Sequence, residues 1–148
     1  KDRLVEPFAF TANNNEIWCY ELASGKNKLF KVSRITKVEI QQTPWEKEAE
    51  HQEGFIDVFH NSSDRRLPVT LRLGMAAANL MVEEFPLAEK YMKKEDDSHW
   101  MFSAEVCRYE GVARFVLGLY EDVEIVDSPG FEEFMKEKVK KISEKIKV

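Results

Sequence analysis

Strict alternation of apolar and polar residues marks the first forty positions, and a spacing of three and four marks the later ones. Residues 3–11 place Val5 and Pro7 on one parity and Leu4, Phe8 and Phe10 on the other, as a strand requires. Pro7 donates nothing to a ladder, which assigns this strand to an edge or a bulge. Asn13-Asn14-Asn15 predicts a turn, because asparagine tolerates positive φ and bonds its own backbone. Residues 16–22 then return as a second strand with Trp18, Tyr20 and Leu22 on one side. Ala23-Ser24-Gly25-Lys26-Asn27 predicts a hairpin turn into a third segment. That segment, residues 29–41, is long and is expected to bend near Ser33 into two strands. Lys28, Phe30, Val32 and Arg34 share one parity there, and Leu29, Lys31, Ser33 and Ile35 the other.

The pattern breaks between residues 41 and 64. Pro44, the charged run 46–50, the weakly apolar 55–59 and the polar turn 61–64 read as a linker that Trp45, Phe55 and Phe59 could pack onto a neighbour. Alternation resumes with Leu67, Val69, Leu71 and Leu73 on one face of a strand. Residues 75–84 form a helix striped by Leu80, Met81 and Phe85 and stopped by Pro86. A short strand over residues 88–93 leads through Glu95-Asp96-Asp97-Ser98 into a longer one over 100–109. A helix over 111–119 and a strand over 123–126 complete a βαββαβ order, which is ferredoxin-like. Ser128 is placed to cap a last helix, with Pro129 in its first turn, running from Phe131 to about Lys147. Its apolar stripe is Phe131, Phe134, Met135, Val139, Ile142 and Ile146.

The expected class is therefore α+β, in three parts: a β-rich unit over residues 1–43, a linker over 44–64 and a ferredoxin-like unit with a C-terminal helix over 65–148. The 148 residues, 43% hydrophobic, suffice for packed cores. No apolar run approaches the roughly 20 residues of a membrane helix, and no signal peptide is visible, so the cytoplasm is the expected location. The chain opens without methionine and inside a strand, so a piece of a longer polypeptide is expected. Cys19 and Cys107 read as reduced and buried.

The net charge of −5 divides unevenly. Residues 1–40 carry seven Lys and Arg against five Asp and Glu, and the remaining residues are strongly acidic. A duplex-DNA-binding domain would be more basic than this. No phosphate loop, dinucleotide fingerprint, nucleophile elbow or metal-spaced histidine pair is present, so no enzymatic role and no cofactor are expected. His51 and His60 in the linker and His99 after the acidic turn read as solvated loop side chains. Asp96 and Asp97 read as a hairpin tip. Arg72 lies opposite the leucine face of its strand, on the sheet surface without helices, where it and Arg108 could meet an anion or could equally face solvent.

On the hairpin, cations mixed with aromatic residues suit an anionic ligand with flat bases, although an exposed strand face is the commoner fate of such lysines. At these residues the chain resembles the WYL domain of bacterial transcription regulators. The resemblance is carried by Arg3-Leu4-Val5-Glu6-Pro7, by Trp18-Cys19-Tyr20-Glu21-Leu22 and by the basic-x-Phe-basic-x-x-Arg-Ile run from Lys28 to Ile35. Cys19 stands where the family usually has tyrosine, Tyr20 where it has leucine, and Ser33 where aspartate often precedes the arginine. Residues 67–126 are similar to the extension that often follows a WYL domain, most closely at Arg114-Phe115-Val116-Leu117-Gly118-Leu119-Tyr120 and in the residues after Asp122.

The resemblance implies an Sm-like, SH3-type β-barrel, only partly present, with its opening strands missing. It also implies an effector pocket formed by Trp18, Tyr20, Lys28 and Arg34, with Arg3, Lys31 and Ser33 as further candidates. Arg72 is carried as an eighth, from strand parity. The implied role is that of an effector-sensing and dimerising portion of a regulator, binding a single-stranded oligonucleotide or a nucleotide and touching duplex DNA only through a helix-turn-helix domain outside this chain. The other expectation is an oligomerisation module with no small effector.

Overall fold

The computed structural model describes residues 1–11, 13–63 and 65–146. Asp64 in the polar turn and Lys147 at the expected helix end lie outside the described residues. The chain divides into two compact units, residues 1–55 and 56–148, with the division falling inside the stretch read as a linker.

In the first unit β1 (Val5–Phe10), β2 (Glu16–Glu21) and β3 (Lys26–Lys31) form an antiparallel sheet in the order β1-β2-β3, the meander a partial barrel requires. The asparagine turn forms as its residues dictate: Asn14 takes φ 57°, and the Asn13 side chain accepts the Asn15 amide at 3.2 Å. Gly25 supplies the positive φ of 64° in the second turn, and its amide reaches the Glu21 carbonyl at 2.9 Å. The ladder between β1 and β2 shifts register between Pro7 and Ala9, a bulge at the residue that lacks an amide hydrogen.

The third segment differs from expectation. Only Lys26–Lys31 is strand; Val32–Arg34 forms a 3-10 turn closed by the Ile35 amide on the Val32 carbonyl, and residues 35–41 are exposed and irregular. Alternation makes a strand only where a second backbone receives its amides and carbonyls, and residues 35–41 lie on no ladder among the described residues.

The second unit has the predicted βαββαβ order. β4 (Leu67–Gly74) leads into α1 (Met75–Glu84); β5 (Met92–Lys94) and β6 (His99–Val106) form a hairpin; α2 (Tyr109–Gly118) precedes β7 (Val123–Val126), and α3 (Pro129–Lys145) follows. The antiparallel sheet runs β5-β6-β4-β7, the order that places the two split βαβ halves across one another. Val69, Leu71 and Leu73 of β4 are at most 1% exposed and meet Phe102 and Val106, Ala77 and Met81 of α1, Val112 and Ala113 of α2, and Phe131 of α3. Each such large side chain contributes about 1.5–3 kcal/mol by leaving water.

Several local readings are corrected. Residues 86–91 form a 3-10 segment with Pro86 in its first turn and the Ala88 amide on the Phe85 carbonyl, so strand structure begins only at Met92. The α1 stripe is Ala77, Ala78 and Met81, with Leu80 at its margin, because α1 packs closely through its small residues. The Ser128 hydroxyl does not cap α3. It donates to the Val126 carbonyl at 2.8 Å and accepts the Thr70 amide at 2.9 Å, tying β7 to β4.

Residues 56–62 enter the second unit's core. Val58 and Phe59 are buried, and Asp57, 1% exposed, accepts the amides of Phe59, Asn61 and Cys107. On α3 the apolar stripe outruns its packing: Phe131 and Met135 are buried, whereas Val139, Ile142 and Ile146 are exposed.

Candidate anion-binding site

The ladder between β2 and β3 decides which candidate side chains share a face. Cys19 stands opposite Lys28 and Ile17 opposite Phe30, whereas Trp18 stands opposite Leu29 and Tyr20 opposite Asn27. Directly paired residues point the same way. Lys28 and Phe30 therefore lie with Cys19 and Glu21, and Trp18 and Tyr20 lie on the reverse face. The single pocket expected of Trp18, Tyr20, Lys28 and Arg34 is divided by this register.

On the first face two cations converge on one carboxylate. Lys28 Nζ donates to Glu21 Oε1 at 2.6 Å, and Arg3 Nη1 bonds Glu21 Oε2. Arg3 reaches this point because the ladder continues past β1, with the Leu22 amide on the Leu4 carbonyl at 3.2 Å. Its guanidinium also lies over the Phe30 ring, 5.5 Å from the centroid. The Glu21 side chain is 7% exposed, while those of Arg3 and Lys28 are 35% and 37% exposed, so the carboxylate lies beneath and the cations reach outward. The Lys28 ammonium, the Arg3 guanidinium and the Ser24 hydroxyl pull the Glu21 carboxyl down to about 2, despite the opposing cost of burial. Cys19 on the same face is a buried thiol whose pKa burial pushes up to about 11, so it is no nucleophile.

The reverse face carries a second buried carboxylate with a different task. Glu6 pairs with Tyr20 in the ladder and accepts the amides of Glu46 (2.9 Å) and Lys47 (3.1 Å). His51 Nε2 lies 2.9 Å from the same group. Burial opposes the ionisation of Glu6, but these amides and His51 outweigh it and hold the carboxyl below its ordinary value. Residues 45–54 are thereby strapped over the aromatic strand. The His51 ring stacks on Phe8 at 4.7 Å, Trp45 meets His51 edge-on at 5.0 Å, and Gly54 lies so close to Trp18 that an added Cβ would be 2.9 Å from the indole. Trp18 and Tyr20 are 4% and 8% exposed beneath it. His51, expected as a solvated loop side chain, is instead packed, with its side chain 7% exposed.

The remaining candidates are placed apart from this pair of cations. Lys31 ends β3, exposed and opposite Glu16; Ser33 and Arg34 lie in the exposed turn that follows. Arg72, in the second unit, lies on the helix-free face of the sheet as expected. Glu95 at 2.7 Å holds it first, with Asp96 at 3.8 Å and Glu124 at 3.7 Å, and together they raise its pKa. Three carboxylates already answer that guanidinium. The acidic hairpin tip is an Asx-type turn: Asp96 accepts the Ser98 amide at 2.8 Å and faces His99 Nδ1 at 3.0 Å, and its carboxyl is held at about 2, chiefly by that amide.

Sequence reasoning overlooked Glu21, Glu6 and His51. Glu21 was legible in principle, since a tight turn after Leu22 fixes the register that sets it diagonal to Lys28. Glu6 and His51 meet across 45 residues, a contact no local pattern reports. Among the described residues no group of three or more His, Cys, Asp or Glu is arranged to hold a metal ion, and no helix is long and apolar enough to cross a membrane. Residues 65–143 match the family model of the WCX domain. No curated protein matches the chain.

Proposed function

The chain belongs to the WCX-domain family, a domain associated with WYL-type regulators, and on that premise we propose that it is the effector-sensing portion of a cytoplasmic WYL-type transcription regulator. The role is one of binding, not catalysis. The effector is a phosphate-bearing ligand, a short single-stranded oligonucleotide or a nucleotide, and its difference in affinity for two arrangements of the protein biases a DNA-binding helix-turn-helix domain outside this chain.

The observation that carries the reading is the convergence of Arg3 and Lys28, both partly exposed, beside the half-buried ring of Phe30. Cations of this kind pair with phosphate, and a neighbouring ring offers a base about 1–3 kcal/mol of stacking. Trp18 and Tyr20, on the other face, then support the sheet and do not touch the ligand.

Fluorescence anisotropy of labelled single-stranded DNA and RNA, at two salt concentrations, tests this. Arg3→Ala with Lys28→Ala is expected to weaken binding and to lower the salt slope by about 2, one for each lost phosphate contact. Lys37→Ala, which removes a cation paired at the surface with Glu39, serves as the control. Unchanged affinity and slope in the double variant would overturn the assignment.

The second reading, an oligomerisation module, is favoured by one observation: Val139, Ile142 and Ile146 continue the α3 stripe into solvent. A homodimer through that stripe would be lost on changing all three to serine, as sedimentation at several concentrations would report.

A further inference from the structure

This inference rests on the reading of the Arg3 and Lys28 face as an anion site, and it concerns how that site is controlled. The same two cations that would hold a phosphate are already engaged, each on its own oxygen of Glu21. The carboxylate is buried and the cations are not, so a ligand arriving from solvent meets the outer hydrogens of the guanidinium and ammonium groups. Arginine carries five N–H donors and lysine three, and the contacts to Glu21 use only part of them. These three groups together carry one net positive charge.

We propose that Glu21 is an internal competitor for the effector's anion, holding Arg3 and Lys28 until a more highly charged phosphate displaces it, and so selecting a terminal phosphate over singly charged groups. The physical reason is twofold. Glu21 is on the neighbouring strand, so it competes at the high effective concentration of an intramolecular group, and a singly charged ligand would only exchange one monoanion for another. A phosphate monoester carries about −1.5 to −2 charge at neutral pH and three acceptor oxygens, so it interacts more strongly with both cations and repels Glu21 away from them. Phe30, beneath Arg3, would become free to meet a base once the guanidinium turned to the phosphate.

The test is calorimetric titration of the full chain with a nucleoside 5′-monophosphate and with its methyl ester, which carries one charge. In the parent protein the monophosphate is expected to bind at least about tenfold more tightly than the ester. Glu21→Gln removes the competing charge at constant size; the ester should then tighten by about tenfold or more and the preference should shrink, because a like charge facing the ligand has gone. Glu21→Asp keeps the charge on a shorter arm and should fall between the two, which keeps the test decisive should the glutamine variant unfold. In the parent, saturation with the monophosphate should also raise the Glu21 titration seen by carboxyl NMR, since displacement removes the partners that hold it down. Should the parent bind the monophosphate while Glu21→Gln leaves both affinities and their ratio within about twofold, Glu21 is a structural ion pair and the competitor role fails alone. Should neither ligand bind the parent or the variants, the anion-site reading fails and takes this inference with it.

Discussion

Replacing Asp57 with alanine should destabilise the second unit by about 4 kcal/mol. Asp57 is 1% exposed, and its Oδ1 accepts the amides of Phe59 and Asn61, both at 2.9 Å, while Oδ2 accepts that of Cys107 at 2.8 Å. One carboxylate thus folds the loop over residues 57–61 and ties it to the end of β6, which sets Val58 and Phe59 into the core. An orphaned buried donor costs about 1–3 kcal/mol. The Phe59 and Cys107 donors are buried and count in full, giving about 2–6 kcal/mol, whereas the Asn61 amide is only partly buried and can turn to water. That is a large share of the roughly 5–15 kcal/mol that holds a domain folded. Asp57→Asn separates the contributions. Its amide oxygen can keep Phe59 and Asn61, but its NH2 then faces the Cys107 amide, one donor against another, for a cost of about 1–3 kcal/mol. Urea unfolding followed by far-UV circular dichroism reports this unit, because every described α-helix lies between residues 75 and 145. With a slope of about 2 kcal/mol/M, the midpoint should fall by about 2 M for alanine and about 1 M for asparagine. An alanine midpoint within about 0.5 M of the parent, or an asparagine variant less stable than alanine, would refute this account of Asp57.

Two further predictions concern carboxylates in other settings. Glu21 is held at about 2 and Glu6 below its ordinary value of 4.5, so their contribution to the first unit is present above pH of about 4.5 and drains away as pH falls toward 2. Tryptophan emission should follow that acid limb, and Glu6→Gln with Glu21→Gln should flatten it; an unchanged limb would show that other groups drive acid unfolding. Gly74 has an ordinary φ of −74° but no room, since an added Cβ would lie 1.9 Å from Asp122 Oδ1, whose partner oxygen accepts the Ala77 amide at 2.7 Å in the first turn of α1. Gly74→Ala should expel that carboxylate and cost about 0.5–2 kcal/mol for the lost cap, and adding Asp122→Ala should cost little more; fully additive losses in thermal unfolding would argue against a shared cause.

The second unit was the more legible of the two. Leu67, Val69, Leu71 and Leu73 announce a strand with one buried face, Pro86 ends a helix by its own covalent geometry, and the element order leaves few sheet topologies open. What escaped there depends on contacts between distant residues. The Ser128 hydroxyl bonds strand backbone instead of its own helix, and Asp57 lies in a stretch whose local pattern reads as linker. The fate of residues 35–41 escaped for a related reason, since alternation states which side chains could share a face but not whether a second backbone is there to pair with.

For the candidate site, the sequence by itself determined the ingredients: aromatic residues on one strand, lysines on the next, an arginine ahead of both, and turns short enough to make them neighbours. These follow from local preferences of a few residues each. Only the tertiary structure decided the grouping. A ladder register of one residue sets Lys28 on the face of Glu21 and Phe30 and sends Trp18 and Tyr20 to the other, and a strap latched by Glu6 then buries those rings. Side-chain direction alternates at every step along a strand, so a pocket's membership changes completely with a shift that leaves the composition of the segment untouched.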